Sequence, residues 1–95
     1  MAAYLVVDAK ITDPQKFQEY RALAQVAVAK YGGRYLVRGG EIEPLEGEWL
    51  PQRLVIVEFP SLEQAHLFYA SPEYLAARAA RAQAADFAML LAAGA

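Results

Sequence analysis

Apolar and polar positions change period along the chain in a way that marks out each element. Tyr4 to Ile11 is a largely apolar, β-branched run of strand length. Thr12, Asp13 and Pro14 then predict a helix start, with Asp13 as N-cap and Pro14 at the first helical position, where its missing N–H costs nothing. Phe17, Tyr20, Ala24, Ala27, Val28 and Tyr31 recur at helical spacing as a buried stripe, and Gly32 and Gly33 end the helix with a left-handed cap. Arg34 to Arg38 reads as a second strand that continues past Gly39 and Gly40 through Ile42 to Leu45. Glu46 and Gly47 turn the chain, and Trp49 to Phe59 returns as a third strand. Pro44 and Pro51 fit only if this hairpin arm lies at a sheet edge. Ser61 and Gln64 predict a capping box for a short helix, Leu62 to Ala70. Ser71, Pro72 and Glu73 start another that runs to about Ala84, and Phe87 to Ala92 is the final strand. The order β-α-β-β-α-β, its second crossover split in two, predicts an α+β, ferredoxin-like domain spanning residues 1–95: an antiparallel four-stranded sheet with helices on one face.

Alternation divides each strand into two sets of side chains. Leu5, Val7, Ala9 and Ile11, with Tyr35, Val37, Val55, Val57 and Phe59, are apolar and belong under the helices. The opposite face mixes Tyr4, Val6, Asp8 and Lys10 with Arg34, Leu36 and Arg38 and with Leu54, Ile56 and Glu58. Such a face is too apolar for water and too charged for a plain core, so a second subunit or a cavity is expected over it. Register sharpens the expectation. One extra residue at Gly39 and Gly40, where a bulge costs least, sets Arg38 opposite Leu54 and Arg34 opposite Glu58. With the first and third strands as parallel neighbours, Asp8 and Glu58 come to the same end of the sheet and Arg34 joins them. Tyr4, Arg38 and Leu54 gather at the other end.

Composition narrows the partners. At 95 residues the chain is a single small domain without cysteine, which excludes disulfides and thiolate zinc sites. Hydrophobic residues reach 57%, more than a lone two-layer domain readily covers, and this again points to a homodimer. A net charge of −2 with both signs dispersed gives no footprint for nucleic acid. No signal peptide is read at the start, and Arg78, Arg81 and Asp86 interrupt the alanine-rich tail, so no membrane contact and a cytoplasmic location are expected.

The run from Gly32 to Gly40, the segment from Val57 to Ser61 and the segment from Ser71 to Tyr74 resemble the domain of unknown function family 1330. The resemblance spans nearly the whole chain. It implies membership of the dimeric α/β-barrel superfamily and a homodimer whose two sheets pack face to face. It implies no activity, since relatives in the wider superfamily range over cofactor-independent monooxygenases, haem-degrading enzymes, muconolactone isomerases and chlorite dismutase-like proteins.

The candidate ligand-binding residues are Tyr4, Asp8, Arg34, Arg38 and Glu58. As a site, an arginine holds a carboxylate or enolate and one acid acts as base. As structure, the same charges form an ion-pair network that fixes strand register and dimer pairing. His66 is the only histidine, is expected on an exposed helix flank, and excludes a histidine-rich metal site; no metal and no cofactor are expected. Trp49 reads as an interface anchor. Ser61 and Ser71 are caps without a base. Three functions remain open: a small-molecule-binding barrel with cofactor-independent proton-transfer or oxygenation chemistry on a small anionic metabolite, a non-catalytic ligand-binding or regulatory dimer, and a purely structural homodimer. Whether the protein is an enzyme is left open.

Overall fold

Local capping decides where each helix begins and ends. Asp13 has extended backbone (φ −133°) and accepts a hydrogen bond from the Lys16 N–H at 3.2 Å, so α1 (Pro14–Lys30) starts at Pro14. At the other end Gly32 takes φ 78°, and the N–H groups of Gly33 and Gly32 close on the carbonyls of Val28 and Ala29. Ser61 accepts from the Gln64 N–H and starts α2 (Leu62–Ala70). The return half of the expected capping box is replaced: the Gln64 side chain donates to the Tyr31 carbonyl at 2.9 Å and ties α2 to the end of α1. Ser71, almost fully buried, donates to the Phe68 carbonyl at 2.6 Å and accepts from the Tyr74 N–H at 3.1 Å, so one hydroxyl ends α2 and starts α3 (Pro72–Arg81). That helix stops at Arg81, one turn short of the expected Ala84.

The structure, a computed structural model, describes residues 1–95 and adds β1 (Ala3–Ile11), β2 (Arg34–Arg38), β3 (Arg53–Phe59) and β4 (Ala85–Ala93). The four strands form one antiparallel sheet in the order β2-β3-β1-β4, the ferredoxin-like arrangement. The Cα extents of 33 × 31 × 16 Å match one sheet covered on one face by one helix layer. Leu5, Val7, Ala9, Val57 and Phe59 are buried beneath Phe17, Ala24, Ala27 and Val28 of α1, as their spacing predicts. Phe59, Phe68 and Tyr74 stack successively, with ring centroids 4.9 and 4.5 Å apart, and anchor α2 and α3.

Three expectations are corrected. The first and third strands are antiparallel: β1 and β2 run the same way through the helical crossover, β3 returns from β2, and β3 occupies the slot between them. Tyr4 therefore faces Glu58, and Asp8 faces Leu54. The hairpin arm from 40 to 52 is not a strand extension, and β3 begins only at Arg53. Pro44 and Pro51 lack ladder donors, and Gly39, at φ 71°, turns the chain away after a last ladder bond to the Leu54 carbonyl. The bulge lies at Leu36 and not at Gly39 and Gly40: Tyr35 pairs with Val57, but Val37 already pairs with Ile56 and Arg38 with Val55.

Candidate functional site

The five residues singled out from the sequence divide among three places. Tyr4, Arg34 and Glu58 do meet on the open face of the sheet. The Tyr4 hydroxyl donates to Glu58 Oε2 at 3.2 Å, and Arg34 Nη2 donates to Glu58 Oε1 at 2.7 Å. The Arg34 side chain is 70% exposed, so this pair by itself adds little to stability. Asp8 lies four residues along β1 from Tyr4, about 13 Å at strand spacing, and shares neither Arg34 nor Glu58. It accepts a hydrogen bond from Trp49 Nε1 at 3.0 Å, and Gln52 accepts from the Ile11 N–H at 2.7 Å, so the irregular arm is pinned to β1. Trp49 is thus a clasp within the chain, its ring still largely exposed. The bulge at Leu36 resets the alternation of β2 and carries Arg38 to the helix face. There its guanidinium lies 4.3 Å from the Tyr35 ring centre and donates to Gln25 at 2.9 Å.

On that helix face the sheet and α1 leave a cleft that the sequence reading did not foresee. It is lined by 16 residues, 13 of them hydrophobic, and encloses about 40 Å³. Leu5, Val7, Val55 and Val57 of the sheet line it from one side and Phe17, Ala24 and Val28 of α1 from the other, with Phe68 and Tyr74 of the other helices, while Phe87 stands level with Arg53 across Ala9. Tyr20 and Tyr74 share a hydrogen bond of 2.9 Å within it. Burial, and then the neighbouring Tyr74, push the Tyr20 hydroxyl far above the usual phenol range, so it stays protonated and serves as a hydrogen-bonding group, not a base. Burial also raises Tyr35, with Arg38 opposing it.

Arg21, Arg38 and Arg53 complete the lining. Arg21 falls in phase with Phe17, Ala24 and Val28 on α1, and Arg53 falls in phase with Val55, Val57 and Phe59 on β3. A single charge in the apolar phase of two separate elements was the signal available in the sequence. Gly39 makes room for Arg53, since a Cβ there would stand 2.2 Å from Arg53 Nη1. Burial, reinforced by the positive charges of Arg21 and Arg38, pulls Arg53 below the usual arginine range. The only salt bridges in the molecule are Arg34–Glu58 and Lys30–Glu73, so none of these three arginines has an acidic partner.

The other charged and titratable residues weighed from the sequence lie outside the lining of that cleft. His66 is exposed on α2. Arg78 lies over the Tyr69 ring, and Arg81 packs 4.1 Å from the Phe87 ring centre with its Nε buried and unpartnered. No three of His, Asp and Glu gather where they could hold a metal ion, and no helix is long and apolar enough to cross a membrane.

Fold and cleft together define a small ferredoxin-like domain with a narrow, mainly apolar cleft between its layers. The chain belongs to the family of the domain of unknown function DUF1330, whose model matches residues 2–95. Solved structures of similar fold include the protein of unknown function RPA0582 from Rhodopseudomonas palustris, at 18% identity and a TM-score of 0.75, covering 99% of this chain and 82% of that one. A "putative antibiotic biosynthesis monooxygenase" from Nitrosomonas europaea matches at 16% identity and a TM-score of 0.65, covering 99% and 98%. A dimeric protein of unknown function and ferredoxin-like fold from Bacteroides fragilis matches at 15% identity and 0.65, covering 98% and 96%. No curated protein matches the sequence.

Proposed function

We propose that this protein is a homodimeric small-molecule-binding domain, with the open sheet face covered by a second copy and the ligand held in the cleft between sheet and α1. The observation that carries the reading is the cleft itself: a narrow, partly open, mainly apolar space whose lining also includes three tyrosines and three arginines. The dimer is supported by the exposed Leu36 and Leu90 on the open face and by the dimeric relative from Bacteroides fragilis. Tyr4, Arg34 and Glu58 then act as polar pairing groups within the dimer contact.

Binding without turnover fits the cleft better than proton transfer does. Its lining contains no carboxylate and no imidazole, and burial raises the Tyr20 and Tyr35 phenols above their usual range, so the lining offers no ready general base at neutral pH. Oxygenation of a bound substrate is the second reading, favoured only by the likeness in fold to the Nitrosomonas europaea protein. The test is a methyl-detected NMR titration of the full chain with n-hexanol, a slim neutral probe. Saturable shifts confined to Leu5, Val28, Val55 and Val57 are expected. Shifts confined to Val6, Ile56 and Leu90 on the open face, or none at all, would overturn the reading.

A further inference from the structure

We propose that Arg21, Arg38 and Arg53 form an oxyanion site at the solvent edge of the cleft, and that the ligand is a slim hydrocarbon tail ending in a carboxylate or phosphate. This rests on the cleft being the binding site and names the chemical class it takes. Three separate elements deliver the three guanidinium groups: α1 brings Arg21, the bulged end of β2 brings Arg38, and the first residue of β3 brings Arg53.

Three positive charges converge with no acid beside them, an arrangement that costs energy in the empty protein and is relieved by an anion. Each guanidinium offers five N–H donors, and the only one of these side chains with a hydrogen bond is Arg38, to the neutral amide of Gln25. Stacking on Tyr35 holds Arg38 in place, and the missing side chain of Gly39 leaves the space that Arg53 fills. The fork of an arginine matches a planar carboxylate or a phosphate face.

The enclosed volume selects the other end of the ligand. About 40 Å³ takes roughly three carbons of a straight chain, with the rest of a hexyl tail lying along the open part of the cleft, and excludes a bulky ring system. The tail enters between Val28 and Val57, and the charged head stays at the rim where Arg38 is exposed. In structural terms alone, these arginines would only lay their aliphatic stems over the edge of the core.

Calorimetric titrations of the protein with sodium hexanoate, n-hexyl phosphate and n-hexanol separate the possibilities. At least one anion is expected to bind about tenfold more tightly than the alcohol, and Arg53→Gln to remove that advantage while leaving n-hexanol unchanged. Arg21→Gln is the second variant should Arg53→Gln fail to fold, as judged by circular dichroism. Tighter binding of hexanoate identifies a carboxylate site, and tighter binding of n-hexyl phosphate a phosphate site. If n-hexanol binds as tightly as both anions, or the folded variants keep full anion affinity, the oxyanion site is wrong and the cleft reading survives. If none of the three binds, the cleft reading fails and this inference falls with it.

Discussion

The hydroxyls of Tyr20 and Tyr74 lie 2.9 Å apart and join α1 to α3 through one hydrogen bond along the wall of the cleft. Tyr74 is almost completely buried, its ring 4.5 Å from Phe68, while the Tyr20 ring meets Phe17 and Phe87 at 5.2 Å each. Neither hydroxyl has another side-chain partner. Tyr20→Phe or Tyr74→Phe is therefore expected to cost about 1–2 kcal/mol, because each strands the other hydroxyl away from water. The double Phe variant should cost less than the sum of the two. A denaturant-unfolding cycle with a coupling near zero would show that the pair contributes nothing beyond packing.

A second clasp between the same helices sets an acid limb. Lys30 at the end of α1 and Tyr31, its C-cap, both bond the Glu73 carboxylate of α3, and the Lys30 bond, then Glu73's own backbone N–H and then Tyr31 hold its pKa at about 2, against an ordinary 4.5. Because the folded value is the lower one, the contribution is complete above pH 4.5 and is lost as pH falls toward about 2. Glu73→Gln should flatten the dependence of Tm on pH across that window and lower Tm near neutrality. An unchanged acid limb in the variant would assign the loss of stability to other carboxylates.

Gly33 is closely enclosed. A Cβ at this position would lie 2.8 Å from both Phe59 Cε1 and Val28 Cγ1, two groups fixed in the core. Gly33→Ala is expected to destabilise by about 1–3 kcal/mol through overpacking, seen as a lower denaturant midpoint with an unchanged slope. A midpoint equal to that of the parent would mean that Phe59 has room to shift.

Glu58 ties Tyr4 to Arg34 on the face assigned to the second copy. Glu58→Gln should weaken the dimer about tenfold, roughly 1.4 kcal/mol, while the far-UV spectrum of the folded chain is unchanged. Analytical ultracentrifugation across a dilution series measures this directly. A dissociation constant unaffected by the change would remove this cluster from the dimer contact.

Much of the fold is legible in the sequence because it depends on near neighbours. Asp13, Ser61 and Ser71 cap the residues that follow them within one turn, and Gly32 and Gly33 close on carbonyls of the preceding turn. Period-two alternation in β1 and β3 separates Leu5, Val7, Val57 and Phe59 from the open face before any pairing is known. The pairing of Arg34 with Glu58 is also recovered, although the bulge that was thought to produce it lies elsewhere. Tertiary structure alone decides which groups meet at long range. The placement of β3 between β1 and β2 makes it antiparallel to β1 and separates Asp8 from Glu58. The bulge settles at Leu36, where the edge strand must keep Tyr35 over the core yet release the chain at Gly39, and this moves Arg38 to the opposite face. Arg21 and Arg53 each stand in the apolar phase of their own element, a local irregularity without meaning until packing brings them beside Arg38. Periodicity is a property of one element at a time, whereas a site assembled from a helix, a bulge and a strand end exists only once all three have packed.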